Sequence, residues 1–189
     1  MDENNIHIYL ESNPNPGSLK FVLNFMLFPE GLSYDFPDVE STGPSPLARG
    51  LFGFEYVERV FFMNNFITIT KSESVGWENI QHELKAYIKE YLALDKPVFD
   101  ETLLDQEEIT NDPDIVVKIK GVLDEYVRPA VEQDGGAIVF QSFDEGVVTV
   151  ALQGSCSGCP SSTITLKAGI ENILTTMIPE VKRVEAESV

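Results

Sequence analysis

The stretch Gly135-Gly-Ala-Ile-Val-Phe-Gln-Ser-Phe-Asp144-Glu-Gly146-Val-Val-Thr-Val-Ala-Leu-Gln-Gly154-Ser-Cys156-Ser-Gly-Cys159-Pro160 decides how the chain is read. Two runs rich in branched and aromatic residues, 137–143 and 147–152, flank Asp144-Glu145-Gly146, the pattern of a β-hairpin. Before it, Val116, Ile119, Leu123, Tyr126 and Val127 recur at helical spacing across Ile115 to Val127, with Arg128-Pro129 at or near the helix end. After it, Ser162 or Thr163 can cap a helix whose buried stripe is Leu166, Ile170, Ile173, Leu174 and Met177, with Pro179 just past its end. Val181 to Ala186 can add a final strand. The order α-β-β-α-β makes residues 114–189 a small α+β domain.

Within that domain the chemistry concentrates in one loop. The sequence has two cysteines, Cys156 and Cys159, placed between the end of a strand and the start of a helix. Two intervening residues let both sulfurs turn toward one centre, and the small Ser157 and Gly158 keep the loop tight. A helix amino terminus just beyond favours the thiolate, the form that binds metal or attacks. Gly154, Ser155 and Gly158 make the loop too polar for core, which argues against cysteines serving only as small buried hydrophobes. Three chemical readings remain at this level. A thioredoxin-like dithiol, that is a thiol-disulfide oxidoreductase, normally carries its pair near the start of a βαβ unit, whereas this pair follows an antiparallel hairpin. Structural zinc and an iron–sulfur cluster each need about four ligands. One chain offers two thiolates, and neither His7 nor His82 lies in this domain, so an all-protein site requires a pair from each of two chains.

Going toward the amino terminus, residues 95–113 read as an acidic linker. From Leu94 through Asp114 inclusive eight acidic residues face one base, Lys96, and Pro97 and Pro113 bracket the stretch. Such a segment is solvated and self-repelling, although Val98, Phe99, Leu103 and Leu104 leave room for partial docking. Residues 1–94 form the first domain. Ile6–Leu10 and Leu19–Leu23 read as strands around the turn-rich Ser12-Asn-Pro-Asn-Pro-Gly17, followed by a Gly-, Pro- and Ser-rich loop up to Pro46. Pro46 to Phe52 reads as a short helix capped by Ser45. Val57–Phe62 and Phe66–Lys71 form a hairpin around Met63-Asn64-Asn65, and Trp77, Ile80, Leu84, Tyr87, Ile88 and Tyr91 mark a helix packed on the sheet. This domain is α+β as well.

The whole chain is long enough to bury real cores, and it is strongly acidic: 31 Asp and Glu against 13 Lys and Arg leave a formal charge of -18. Nucleic acid and anionic membrane surfaces are therefore disfavoured as partners, since both are bound through Lys and Arg. Cysteines confined to one close pair fit a reducing compartment rather than a secreted disulfide framework. The start Met1-Asp-Glu-Asn-Asn-Ile has no basic region followed by an apolar run, so the expected location is cytoplasmic. A mature organellar protein whose transit peptide had been removed would read the same.

These residues resemble a known family. Val131-Glu-Gln-Asp-Gly-Gly136, then Gly154-Ser-Cys156-Ser-Gly-Cys159-Pro-Ser-Ser-Thr163 and a helix, resemble the carboxy-terminal domain of NifU. Asn13-Pro-Asn-Pro16, Leu19-Lys-Phe21, Ser45-Pro-Leu-Ala-Arg49, Val60-Phe-Phe62 and Phe66-Ile-Thr-Ile-Thr70 resemble the amino-terminal Nfu domain. The resemblance implies an iron–sulfur cluster scaffold or carrier. It would bind a labile cluster, usually [4Fe-4S] and otherwise [2Fe-2S], between the subunits of a homodimer and pass it to apo-proteins. It carries metal-ligand roles onto Cys156 and Cys159 and no catalytic role onto any residue, so no enzyme activity is expected. The first domain, which has no cysteine, would act in recognition. The cysteine-rich assembly domain and the ferredoxin-like domain of full-length NifU are not among these 189 residues, so upstream assembly machinery is an implied partner.

Other residues divide between functional and structural readings. Gly135 and Gly136 either let the backbone pass close to the cysteine loop or merely turn the chain. Arg128 and Lys167 are the nearest bases on either side of the pair in sequence, and solvated surface is their default. Trp77, Tyr87 and Tyr91 are expected in the core. Phe61, Phe62, Met63 and Phe66 are expected to pack inward rather than to form an exposed client-binding patch.

Overall fold

A computed structural model describes residues 5–29, 31–100, 112–157 and 160–188, apart from the side chains of 160–163 and 188. The chain forms two compact units, divided between Gln106 and Glu107. Both are α+β.

The first unit is a five-stranded antiparallel sheet with helices against one face. Its strands are β1 (Ile8–Ser12), β2 (Ser18–Leu23), β3 (Ser33–Phe36), β4 (Val57–Met63) and β5 (Phe66–Lys71), in the order β1-β2-β5-β4-β3. The helices are α1 (Pro46–Leu51) and α2 (Trp77–Ala93). The hairpin read between 57 and 71 is β4–β5, closed by Asn64-Asn65 with Asn64 at φ +47°, a left-handed conformation that Asn tolerates better than most residues. Alternation along the strands turns Phe21, Leu23, Val60, Phe62, Ile67 and Ile69 to one face, where they meet Leu47 and Leu51 of α1 and Ile80, Leu84 and Ile88 of α2. Each such side chain, fully buried, contributes roughly 1.5–3 kcal/mol of transfer free energy.

Strand β3 lies within the Gly-, Pro- and Ser-rich stretch expected to be loop up to Pro46. This edge strand has four residues, of which only Phe36 is buried, so no alternation shows. It forms because β4 supplies hydrogen-bond partners and because Arg59 of β4 forks onto Asp35, its Nε donating to Oδ1 at 2.8 Å. The docking allowed for the linker is also found. Phe99 is buried, its ring 4.1 Å from that of Tyr34, and residues 97–100 are tied down through Tyr91 Oη to Pro97 O, Ser45 Oγ to Val98 O and Asp100 N to Pro44 O. Leu103 and Leu104 lie outside the described residues.

The second unit follows the order α-β-β-α-β, with a longer opening helix than expected. After α3 (Asp114–Val122) the chain does not stop at Arg128-Pro129. It makes one wide π turn over Leu123–Val127 and continues as α4 (Arg128–Gln133). A proline inside a regular helix lacks a donor and collides with the carbonyl four residues back. Here Arg128 N reaches back five residues to Leu123 O, so the wide turn accommodates Pro129 at the start of the next segment. Strands β6 (Gly136–Asp144), β7 (Val147–Gly154) and β8 (Arg183–Ser188) form the sheet, β6–β7 antiparallel and β7–β8 parallel. The parallel pair is joined by α5 (Pro160–Met177), the crossover that such a pair requires. The core gathers Ile119, Leu123, Val127 and Val131 from the helix, Ile138, Val148, Val150, Leu152 and Val184 from the sheet, and Ile170 and Leu174 from α5. Met177 is 45% exposed, contrary to its expected place on the buried stripe. The stripe runs Ile170, Leu174, Ile178 at intervals of four, and Ile178 N still donates to Leu174 O.

Candidate functional site

Cys156 sits in the tight turn that leaves β7. Gly154, the last residue of β7, pairs with Gly136 across the hairpin and takes φ +63°, which swings the chain out of the strand. Two serines then fix the turn. Ser155 N donates to Gly135 O at 3.3 Å and Ser155 Oγ donates to Asp134 O, so the end of α4 holds one side. Ser157 N donates to Gly154 O at 3.1 Å and Ser157 Oγ to Leu152 O at 2.5 Å, which holds the other.

Ser155, Cys156 and Ser157 are 2%, 6% and 5% exposed. This corrects the expectation that the loop is too polar for core. The hydroxyls are buried because carbonyl oxygens of the chain's own backbone take both of them, which removes the desolvation penalty. Cys156 belongs to the same apolar cluster as Ile138, Leu152 and Ile170, and its Sγ lies 3.9 Å from Ser155 Oγ. By residue type Ser157 reads as small and Ser155 as polar. Their flanking positions on either side of the cysteine are the signal that marks them as clamps.

Gly136 leaves room for the thiol. A Cβ on it would stand 2.8 Å from Cys156 Sγ and 2.6 Å from Gln153 O. Of the two readings of Gly135-Gly136, close backbone approach is therefore found at Gly136, while Gly135 has φ +80° and supplies the turn.

Cys159 and Gly158 lie outside the described residues. Helix α5 already begins at Pro160, so Ser162 and Thr163 fall in its first turn and do not cap it; proline is well suited to a first helical position because its missing N–H would have no partner there. The 18-residue α5 thus starts directly after the cysteine pair. The remaining candidates are placed elsewhere. Arg128 pairs with Asp124 at 2.6 Å along its own helix, and Lys167 lies partly buried on α5. His7 and His82 are exposed in the first unit. Among the described residues no group of three or more His, Cys, Asp and Glu side chains is placed to hold a metal. Phe61, Phe62, Met63 and Phe66 are all buried, and Tyr91 is core with Trp77 and Tyr87 packed against it. No described helix is long and apolar enough to cross a membrane.

Comparison with known proteins covers both units. Residues 8–95 match the family described as "Scaffold protein Nfu/NifU N terminal", and residues 119–185 match the "NifU-like domain". The chain is 44% identical over 187 residues to the "NFU1 iron-sulfur cluster scaffold homolog, mitochondrial" of Drosophila willistoni, covering 98% of this chain and 65% of that one. It is 45% identical over 180 residues to the protein of the same name from Drosophila persimilis, covering 94% and 64%. The chain thus spans a little less than two thirds of the length of these relatives. A solution structure of a NifU-like protein from Saccharomyces cerevisiae is 25% identical and superposes with a TM-score of 0.43 over 51% of this chain and 86% of that one. The relatives' names point to the mitochondrion and overturn the cytoplasmic expectation. That expectation rested on the acidic first residues, and composition does not separate a cytosolic protein from a mature organellar one. With the Nfu/NifU amino-terminal scaffold domain over its first half and the NifU-like domain over its second, in that order, the chain belongs to the Nfu family.

Proposed function

We propose that this chain is an iron–sulfur cluster scaffold and carrier that holds a labile [4Fe-4S] cluster between two subunits, through Cys156 and Cys159 of each, and transfers it to apo-proteins. The observation that supports the reading most directly is the position of Cys156. It stands in a turn fixed on both sides by backbone hydrogen bonds, inside the stretch matched by the NifU-like domain and immediately before a long helix. The ligand count supports the dimer: a cluster of this kind takes about four protein ligands, and the chain has two cysteines.

The cluster is cargo in this scheme. Thiols of the recipient lose their protons as they ligate iron and displace Cys156 and Cys159 one at a time. Each released cysteine takes up a proton, and the iron and sulfide of the cluster keep their oxidation states throughout. A site built from two ligands per subunit suits release, since separating the subunits halves the ligand set. The first domain would recognise recipients, and none of its residues is asked to ligate. No catalytic residue is assigned.

Anaerobic reconstitution with iron and sulfide tests this. About four iron and four sulfide per dimer, with a [4Fe-4S] absorbance and Mössbauer spectrum, are expected. A [2Fe-2S] spectrum would replace the cluster type and keep the scaffold. A monomer holding a full cluster, undiminished binding in Cys156→Ala, or a zinc-only protein after reconstitution would overturn the reading. So would catalytic disulfide reduction by a chain that takes up no cluster.

A further inference from the structure

We infer that Gly136 is a positioning residue for the Cys156 thiol: the side chain it lacks is the space that Sγ occupies in the apo chain, and the thiol turns out of that space when it ligates. This rests on the proposed role of Cys156 as a cluster ligand.

Backbone conformation does not require glycine at this position. The left-handed residues around the site are Gly135 and Gly154, and Gly136 is in ordinary strand geometry opposite Gly154. What requires glycine is room. A Cβ at Gly136 would fall 2.8 Å from Cys156 Sγ and 3.3 Å from its Cβ, and a contact under 3.0 Å is one that real Cβ atoms essentially never make. The turn itself is held by the Ser155 and Ser157 bonds to Asp134 O, Gly135 O, Leu152 O and Gly154 O. With the backbone pinned, rotation about χ1 is the freedom left to the cysteine. Inward, the sulfur lies beside Gly136 at 6% residue exposure; a ligand shared with a second subunit has to face outward. Alanine at 136 closes the inward position and leaves the thiol turned out in the apo chain.

Alkylation reads this without any iron. In the full chain carrying Cys159→Ser, so that Cys156 is the one reactive thiol, iodoacetamide forms a thioether as the thiolate sulfur displaces iodide. The rate is followed by mass at fixed pH, with far-UV circular dichroism as the check on folding. Gly136→Ala is expected to speed alkylation about tenfold, the factor that follows if about 1.4 kcal/mol is removed from the local opening that exposes the thiol. An equal or slower rate overturns the inference.

Because the new Cβ would also stand 2.6 Å from Gln153 O, some loss of stability is expected whatever the thiol does. The loss in urea midpoint caused by Gly136→Ala is therefore measured with Cys156 present and with Cys156→Ala. A smaller loss in the second background supports the inference. Equal losses, or failure to fold in both, overturn it, because the backbone contact alone then decides. A native chain that takes up no cluster overturns the proposed function and leaves the alkylation result standing; unchanged alkylation in a cluster-binding chain does the reverse.

Discussion

The hydroxyl of Ser45 donates to the carbonyl oxygen of Val98, fifty-three residues further along, at 2.7 Å, while Ser45 Oγ itself accepts Ala48 N–H at 3.1 Å. One buried atom thus caps α1 and fastens the chain that leaves α2. Ser45→Ala is expected to cost about 1–2 kcal/mol, the upper part of the range for a lost cap, since it also leaves Val98 O without this donor. Urea unfolding followed by the fluorescence of Trp77, the one tryptophan of the sequence, measures it. Amide exchange at Asp100, whose N–H donates to Pro44 O, should quicken as the segment loosens. A midpoint change within error, with unchanged exchange, would show that the contact carries no weight.

Asp35 and Arg59 form a forked ion pair between β3 and β4, with side chains 4% and 15% exposed. Removing one member of such a pair strands a charge away from water and is expected to cost about 3 kcal/mol, whereas replacing both with apolar residues of similar size costs far less than two such losses. Asp35→Leu and Arg59→Met singly should each lower the urea midpoint clearly, and the double variant should fall short of their sum by about 1–3 kcal/mol. Additive losses would mean that the pair is not the device that holds the edge strand.

Tyr56 donates to Glu83 Oε2 of α2 at 2.8 Å. Burial first, then that hydrogen bond and the carboxylate's charge, raise the tyrosine above its ordinary value. The folded state holds the phenolic proton more tightly than the unfolded one. Its contribution to stability is therefore complete below the unfolded value of about 10 and is lost as pH rises through the higher folded value. In an alkaline titration at 295 nm, the difference between native protein and Tyr56→Phe should ionise later than an ordinary tyrosine, and Glu83→Gln should bring that step down in pH. A step that ignores Glu83→Gln would assign the shift to burial alone.

Much of this architecture is written locally in the sequence, and the exceptions have physical causes. Both hairpins and α2 carry their own alternation or stripe, so periodicity alone locates them. Strand β3 carries none, because an edge strand with one buried residue is held by its neighbour and by the Asp35–Arg59 pair, a relation across twenty-four residues. The π turn before Pro129 was illegible for a related reason: proline usually ends a helix, and only the packing of Leu123, Val127 and Val131 into one core rewards the detour that lets it continue. At the site, residue types in the loop pointed to the cysteines, and the order of elements placed them between strand and helix. The burial of Cys156 was not legible, since serines that donate to backbone carbonyls read as solvent-facing until the acceptors are in place.

Those serines set a last expectation about the site. Ser155 Oγ reaches back to Asp134 O and Ser157 Oγ to Leu152 O, so the two hydroxyls hold the turn from opposite sides of Cys156. Neither is placed to ligate iron in the scheme proposed, and a net hydrogen bond of this kind is worth about 1 kcal/mol to the fold. Ser155→Ala and Ser157→Ala should therefore stay folded with modest midpoint losses. Geometry at the thiol is more sensitive, because small displacements of a ligand shell weaken a site well beyond the cost to the scaffold. After anaerobic reconstitution each variant should load iron and sulfide but surrender them to a chelator faster than the native chain. The double variant should be fastest of all, since the turn is then released on both sides. If chelation rates match the native chain while stability falls, the serines serve folding alone and the turn does not govern how firmly the cluster is held.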